Sequence, residues 1–182
     1  MEKCKWATQN EIMETYHDTQ WGKIHKDEIL IFEMLCLEGQ QSGLSWNTIL
    51  SKREGYREAF CNFIPEEIAK FDQEKVKELM NNKDIIRYDK KIESIINNAK
   101  VYLKMKENNE KLYDFFWSYV DGQIINSNES NEDVLSKSPL SEKISKDLKN
   151  KGFSYVGPVT VYSLLQSIGV INDHINQCVS KF

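Results

Sequence analysis

The chain has 182 residues with a formal net charge of −4 at pH 7, which argues against a protein covered in positive charge. Nucleic-acid binding stays open, since only the contact face needs to be basic. The hydrophobic content of 40% and the mean hydropathy of −0.57 are typical of a globular protein, with no apolar run long enough to span a bilayer. The start of the chain lacks a signal peptide's apolar stretch, and four scattered cysteines are too few for a disulfide scaffold, so we expect a cytoplasmic location.

Apolar residues recur with helical spacing along most of the chain, which predicts an all-α fold. Residues Lys26–Gln41 are hydrophobic almost all round and predict a core helix. Only Gln123–Ile125 suggests a strand, and the polar stretch Ser127–Ser138 predicts a loop. The other helices predicted before that loop are Ser45–Arg57, Pro65–Phe71, a helix capped by Asp72 that ends near Met80, Lys90–Met105 and Leu112–Val120.

The last part of the chain has the features of two helices joined by a tight hairpin. Ser141 is expected to cap the first helix, which runs to Asn150, and Pro158 suits the first turn of the second. Gly152 and Gly157 lie in the turn, where glycines allow close backbone approach and positive φ.

This hairpin is a candidate DNA-binding element. The free amides at the start of the second helix can hold a phosphate oxygen, and five lysines lie between positions 137 and 151. An ordinary helical turn with a solvated lysine face is the alternative. The proposed DNA-backbone-binding residues are Lys151, Gly152 and Gly157.

Two cysteines and two histidines near the two ends of the chain form a possible metal site. Cys4 and His17 lie near the N-terminus, while His174 and Cys178 are four residues apart and would share one face of a helix. Two cysteines with two histidines are a standard closed shell for structural zinc, which leaves no position for a catalytic water. The spacing matches no common zinc finger, so four unrelated residues are the alternative.

Glu38 stands at the end of the apolar core helix, where a charge must be paired or face a cavity. Trp46 follows closely, and Trp6, Tyr16 and Trp21 gather in the N-terminal region. Rings that stack on a base, beside a carboxylate that accepts its hydrogen bonds, suit a flat cationic heterocycle. The alternative is that the tryptophans belong to the core and that the carboxylate caps a helix or pairs with a lysine.

Taken together, these segments resemble the 3-methyladenine DNA glycosylase I family, within the helix-hairpin-helix glycosylase superfamily. The resemblance spans nearly the whole chain. It rests on Cys4-Lys5-Trp6, Tyr16-His17-Asp18, Trp21-Gly22, Phe32-Glu33-Met34 running on through Leu37 to Trp46, Ile85-Ile86-Arg87, Phe116-Trp117-Ser118, Gly152 to Pro158, Tyr162-Ser163, Asn172-Asp173-His174 and Cys178.

The resemblance implies a helical enzyme that flips 3-methyladenine out of alkylated double-stranded DNA and hydrolyses its glycosidic bond, without lyase activity. We expect a single glycosylase domain over residues 1–182 with two lobes and a helix-hairpin-helix element at about 141–169, acting as a monomer with no membrane partner and releasing free 3-methyladenine. The implied ligands of one structural Zn²⁺ are Cys4, His17, His174 and Cys178. The implied base pocket has Glu38 as the carboxylate that binds and orients the base, with Trp6, Tyr16 and Trp46 as walls and Trp21 as a packing residue.

Asp173 lies where many helix-hairpin-helix glycosylases use an aspartate to stabilise the sugar cation or activate water. Because it directly precedes His174, a cap or a partner of the metal ligand is the alternative. The chain departs from the family pattern at Asp84, where glycine is usual, and at Tyr88-Asp89, which replaces a more basic or polar pair. These changes are expected to weaken a DNA contact near that loop.

Two other functional classes compete with a glycosylase. One is a non-catalytic, zinc-stapled DNA-binding module, which tight binding of free 3-methyladenine would exclude. The other is a zinc hydrolase such as a base deaminase. A deaminase needs an open metal position and a glutamate beside a ligand, as in H-x-E, which this chain lacks.

Overall fold

The computed structural model describes residues 2–126 and 135–181. The described part is mostly helical, as the apolar spacing predicts. Its α-helices are α1 (Glu11–Thr19), α2 (Glu28–Gln40), α3 (Trp46–Leu50), α4 (Arg53–Ala59), α5 (Pro65–Ile68), α6 (Gln73–Leu79), α7 (Asp89–Glu107), α8 (Leu112–Trp117), α9 (Pro139–Lys151) and α10 (Pro158–Ser167). Short 3-10 helices cover Lys5–Gln9, Cys61–Phe63 and Ser118–Val120, and the two short strands are β1 (Ile125–Asn126) and β2 (Ile171–Asn172).

Helix α2 forms the centre of the core. Asp27 caps its N-terminus by accepting hydrogen bonds from two backbone amides, and every residue from Ile31 to Gln40 is buried. The helix packs against α7, α8 and α10, which accounts for its nearly uniform hydrophobicity. The carboxylates that it carries at Glu33 and Glu38 must therefore find partners or face a cavity.

Helices α9 and α10 form a hairpin, and α10 packs on α2. The prediction that Ser141 caps the first helix is wrong: Ser138 is the cap, and Ser141 completes a capping box three residues later. Pro139 explains the shift, because its fixed φ suits the first helical position. Gly152 ends α9 with φ of 102°, and Pro158 opens α10 as predicted.

The single helix predicted over Ser45–Arg57 is two helices, α3 and α4. Ser45 caps α3, but Lys52 has a non-helical ψ of 4°. The Ser51 hydroxyl donates to the Asn47 carbonyl at 2.7 Å, the kind of local side-chain bond that competes with a continuing helix.

The last part of the described chain pairs with two earlier segments, one of them at the N-terminus. Strand β1 pairs in parallel with β2, with Ile125 opposite Ile171. Beyond β2, Cys178 forms a backbone bridge with Glu2. His174 and Cys178 lie in this irregular, turn-rich segment. The prediction that they share a helical face is therefore wrong, although the structure does bring them together.

Three further sequence predictions concern a helix cap, a loop and the absence of a membrane-spanning segment. Asp72 caps α6 as predicted, by accepting a hydrogen bond from the Lys75 amide. Of the predicted loop Ser127–Ser138, residues 127–134 lie outside the described residues. Among the described helices, none combines the length and apolar character that crossing a membrane requires.

Candidate functional site

A cavity of about 300 Å³ opens between the N-terminal segment, α1, the end of α2, the start of α3 and α10. Local capping places its walls: the Asn10 side chain accepts from the Met13 amide at the start of α1, and Ser45 caps α3 immediately before Trp46. Its aromatic lining is Trp6, Tyr16, Trp21 and Trp46. Its polar lining includes Glu38, Gln41, Ser163 and Gln166.

The aromatic rings form one continuous wall. The Tyr16 ring lies 5.4 Å from that of Trp46 and 6.3 Å from that of Trp6, measured between centroids. Trp6 in turn meets Trp21 edge to face at 4.9 Å. The structure thus brings together the predicted wall residues, and it places Trp21, predicted to be a packing residue, in the lining as well.

Glu38 lies in this cavity as a buried and incompletely paired carboxyl. It is 4% exposed, and its Oε2 atom has no hydrogen-bond partner in the described structure. Loss of hydration raises its pKa to about 8, because burial penalises the charged form. The Tyr16 hydroxyl and the Trp46 indole nitrogen are also buried without a hydrogen-bond partner in the described residues. Three unsatisfied polar groups around one aromatic cavity are the pattern of a site made for a polar ring.

Asp173 lies behind the cavity wall and is 1% exposed. Its Oδ2 atom accepts hydrogen bonds of 2.7 Å from the Tyr162 hydroxyl and from the Gln166 amide. Since Gln166 lines the cavity and Asp173 does not, this carboxylate holds a wall residue in place.

The predicted metal-binding residues form a compact, fully buried cluster, with ligand atoms that all lie within 4.8 Å of one another. His17 Nε2 is 3.1 Å from His174 Nδ1, and Cys178 Sγ is 3.4 and 3.5 Å from these two nitrogens. Cys4 Sγ is 3.8 Å from His174 Nδ1. A tetrahedral zinc with bonds of about 2.0–2.3 Å needs ligand–ligand distances of roughly 3.3–3.8 Å. The four distances above, from 3.1 to 3.8 Å, lie near this range, so the donor set fits this ion.

The second nitrogen of each histidine is held by a further group. His17 Nδ1 is 2.8 Å from Asp18, and His174 Nε2 is 3.0 Å from the Trp21 carbonyl. These contacts orient His17 Nε2 and His174 Nδ1 towards the cluster. Burial lowers the pKa of His17, and it lowers that of His174 to about 4, so both rings are neutral at pH 7, the form that can bind a metal.

The cavity and the cysteine–histidine cluster share a wall. The Trp6 ring lies 5.3 Å from the His17 ring, and the Trp21 ring lies 4.7 Å from the His174 ring. Tyr16 directly precedes His17 in the chain. Displacing either histidine would therefore displace cavity-lining aromatic residues.

A second, outer cavity of about 280 Å³ adjoins the first. It is lined by the loop after α2 and the first turns of α10, where Leu44 and Val159 are exposed. Gln41, Ser163 and Gln166 line the inner cavity but were not among the site residues predicted from the sequence. The spacing of Ser163 and Gln166, three residues apart on one helix face, is a weak signal that many core helices share.

The hairpin between α9 and α10 differs in detail from the sequence expectation. Positive φ occurs at Gly152 and also at Tyr155, whereas Gly157 has φ of −64°. A Cβ atom on Gly157 would meet nothing within 4 Å, so the turn itself does not require glycine there. Lys151 forms an ion pair with Glu110, so its charge is neutralised within the chain.

Comparison with known proteins identifies the family of the chain. A protein-family model described as methyladenine glycosylase matches residues 6–181. A DNA-3-methyladenine glycosylase of Haemophilus influenzae is 43% identical over 180 residues, which cover 98% of this chain and 97% of that protein.

Solved structures are similar over the full length. A crystal structure of 3-methyladenine DNA glycosylase I superposes with a TM-score of 0.97 at 43% identity, covering 100% of both chains. Another, on the structural basis of 3-methyladenine recognition by the enzyme from Staphylococcus aureus, gives a TM-score of 0.95 at 38% identity and covers 100% of this chain and 97% of that one. The chain belongs to the methyladenine glycosylase family.

Proposed function

We propose that the protein hydrolyses the N-glycosidic bond of 3-methyladenine in alkylated double-stranded DNA, after the nucleotide flips into the inner cavity. The observation that carries this proposal is the set of polar atoms on Glu38, Tyr16 and Trp46 that have no partner among the described residues and surround an aromatic cavity of about 300 Å³. Family membership and relatives that carry this activity in their names support it.

The chemistry of the substrate fits a buried carboxyl. Methylation at N3 makes the base cationic and weakens the glycosidic bond, so the leaving group needs no proton from the enzyme. A cation beside Glu38 favours the ionised carboxylate and offsets the burial that raises the pKa of this group. Glu38 thus binds and orients the base and does not attack the sugar.

The aromatic rings and the polar groups of the cavity have different roles in recognising the base. Stacking on Trp6, Tyr16 and Trp46 contributes about 1–3 kcal/mol per base and tolerates any flat ring. Discrimination against normal adenine therefore falls to Glu38 and the Tyr16 hydroxyl, which read the edge of the base. Flipping costs least for a damaged base, so the lesion contributes to its own selection.

The cysteine–histidine cluster is proposed to hold one structural Zn²⁺. Four protein ligands close the metal and leave no position for a reacting water. When bound, the ion would join the two ends of the chain and would take no part in the cleavage of the glycosidic bond. A zinc deaminase is disfavoured on the same ground, since it requires an open position.

The α9–α10 hairpin is proposed to act as a helix-hairpin-helix grip on the DNA backbone. Gly157 caps α10, and the open space above its Cα lets a phosphate approach the amides of the first turn. Gly152 lets the chain reverse direction. Because Lys151 is paired with Glu110, we assign it a weaker role than the two glycines.

The residues that line the cavity, within the described chain, include no lysine that could form a Schiff base. We therefore propose a monofunctional glycosylase that leaves an abasic site. Its action as a monomer in the cytoplasm is a separate proposal, which the cavity lining does not bear on.

The test is release of free base from methylated DNA, with wild type and Glu38→Gln compared and products separated by chromatography. We expect wild type to release 3-methyladenine and the variant to release at least about 10-fold less, from the lost charge-assisted hydrogen bond. Loss of free 3-methyladenine binding in the same variant would place the defect in the pocket. No release by folded, metal-loaded wild type would refute the proposal and favour a non-catalytic DNA-binding module.

A further inference from the structure

The inner and outer cavities share three lining residues, Glu38, Gln41 and Ser163, and these define a throat between them. On the outer side the lining continues through Leu44 and Thr160. If the flipped base fills the inner cavity, as the proposed function holds, the deoxyribose lies in the outer one. The glycosidic bond then crosses the throat, and the throat residues are the groups beside C1′.

The two sides of the throat come from different helices. Glu38 and Gln41 come from the last turn of α2 and the residue after it, and Ser163 stands across from them on α10. Glu38 is engaged with the base edge in the proposed complex. Ser163 is half-buried, and one turn further along α10 the Gln166 amide is bound to Asp173.

We propose that the Ser163 hydroxyl binds and positions the water molecule that attacks C1′, which makes Ser163 a catalytic residue of the proposed hydrolysis. Asp173 does not reach the throat, because it lies behind the wall and accepts hydrogen bonds from Tyr162 and Gln166. A hydroxyl is sufficient here, since water that adds to a sugar cation needs correct placement more than a strong base.

The step balances without any further reactant. The bond between C1′ and N9 breaks, its electron pair neutralises the methylated base, and the positive charge passes to the sugar. The oxygen of the solvent water bound at Ser163 forms a bond to C1′. The proton that this oxygen loses passes to solvent through the outer cavity, so one proton is released for each base.

The experiment compares wild type, Ser163→Ala and Ser163→Thr in single-turnover excision from methylated DNA, with binding of free 3-methyladenine measured separately. Reactions are repeated in water–methanol mixtures, and the ratio of methyl glycoside to hydrolysed sugar is determined. Ser118→Ala is the matched control, because it also removes a hydroxyl, bonded to the Phe115 carbonyl on the protein surface.

We expect Ser163→Ala to excise at least about 10-fold more slowly, from loss of a positioned reactant, with unchanged affinity for free base. The methanol fraction should rise, since the ordered water is lost and a methyl group gains room. Ser163→Thr should restore both values, and Ser118→Ala should match wild type.

Two results would overturn the inference: a wild-type rate in Ser163→Ala, or a slower rate with an unchanged methanol fraction, which indicates a structural defect alone. Wild type that releases no base refutes the proposed function itself, whatever the variants do.

Discussion

The cysteine–histidine cluster and the inner cavity are two polar sites that share a tryptophan wall but differ in how their polar atoms are satisfied. In the cluster, four donor atoms converge within 4.8 Å, and neighbouring groups orient both histidines. In the cavity, Glu38 and Trp46 carry polar atoms without partners in the described chain. A site whose polar groups face one another suits a permanent ligand, whereas one whose groups face open space suits a ligand that comes and goes.

Removal of the Zn²⁺ that we propose the cluster holds should have the strongest consequence. A structural zinc contributes about 10–16 kcal/mol in small zinc-finger peptides, so in this larger fold we expect at least about 5 kcal/mol, or about 10–20 °C in Tm. Treatment with a chelator and the substitution Cys178→Ala should both produce this loss in a thermal melt. Binding of 3-methyladenine should disappear with it, because the two sites share Trp6 and Trp21.

The control is Cys61→Ser, since Cys61 lies outside the cluster. An unchanged Tm after complete metal removal would show that the cluster does not hold the chain ends together.

The two carboxylates of α2 show the same contrast: Glu33 is hydrogen-bonded to two arginines, whereas Glu38 has an oxygen without a partner among the described residues. Burial raises the pKa of Glu33 too, but hydrogen bonds from Arg53 and Arg57 outweigh it and hold that pKa below its usual range. Its stabilising effect is present above the unfolded pKa near 4.5 and is lost as pH falls through the folded value. Glu38 is the opposite case: with its folded pKa at about 8, the folded state holds an extra proton, so its contribution to stability falls as pH rises from about 4.5 to 8.

Glu38→Gln should therefore raise the free energy of unfolding relative to wild type, by up to about 4 kcal/mol more at pH 8 than at pH 5. Glu33→Gln should lower it by about 3 kcal/mol at neutral pH, because two arginines lose their charged partner. Urea unfolding of both variants across this pH range measures the two slopes. Parallel slopes would contradict the assignment of opposite pKa shifts to the two carboxylates.

A smaller effect is expected from the stacking surface. Trp46→Ala should weaken binding of free 3-methyladenine by about 1–3 kcal/mol, the usual contribution of one stacked ring. Trp117→Phe is the control, because the Trp117 indole nitrogen also has no partner in the described part of the chain, but this residue does not line the cavity. Titration followed by tryptophan fluorescence reports both affinities, and equal losses in the two variants would exclude a direct stacking role.

The smallest effect on DNA binding is expected at Lys151, whose charge is already paired within the chain. Lys151 pairs with Glu110 and lies over the Phe115 ring, so Lys151→Ala should change DNA affinity less than about threefold and the salt slope by less than one. Fluorescence anisotropy at several salt concentrations measures both quantities. A tenfold loss with a slope reduced by one would mean that this lysine leaves Glu110 to bind a phosphate.

Local signals were sufficient for much of the fold. The apolar run of α2 places Glu38 at the end of a core helix. Asp72 predicts the start of α6, because helix capping depends on adjacent residues. The break at Lys52 was missed, since a continuous helix and a kinked pair have nearly the same apolar spacing.

The candidate site likewise has some features that the sequence predicted and others that it did not. The cysteine–histidine set was visible from residue chemistry, but the assumed helix at His174 was wrong because four-residue spacing also fits a compact turn. Ser163 and the pairing of Lys151 with Glu110 depend on contacts between distant segments, which the sequence does not encode locally.

The pairing of the chain ends also sets the order in which the molecule becomes functional during its synthesis. Cys4 and His17 leave the ribosome early, whereas His174 follows His17 by 157 residues, or about 8–30 s at 5–20 residues per second. Throughout that interval the N-terminal thiol and the aromatic wall lack the partners that enclose them. The cluster is thus completed only after both later residues have been made, and a nascent chain stalled before His174 lacks two of its four members.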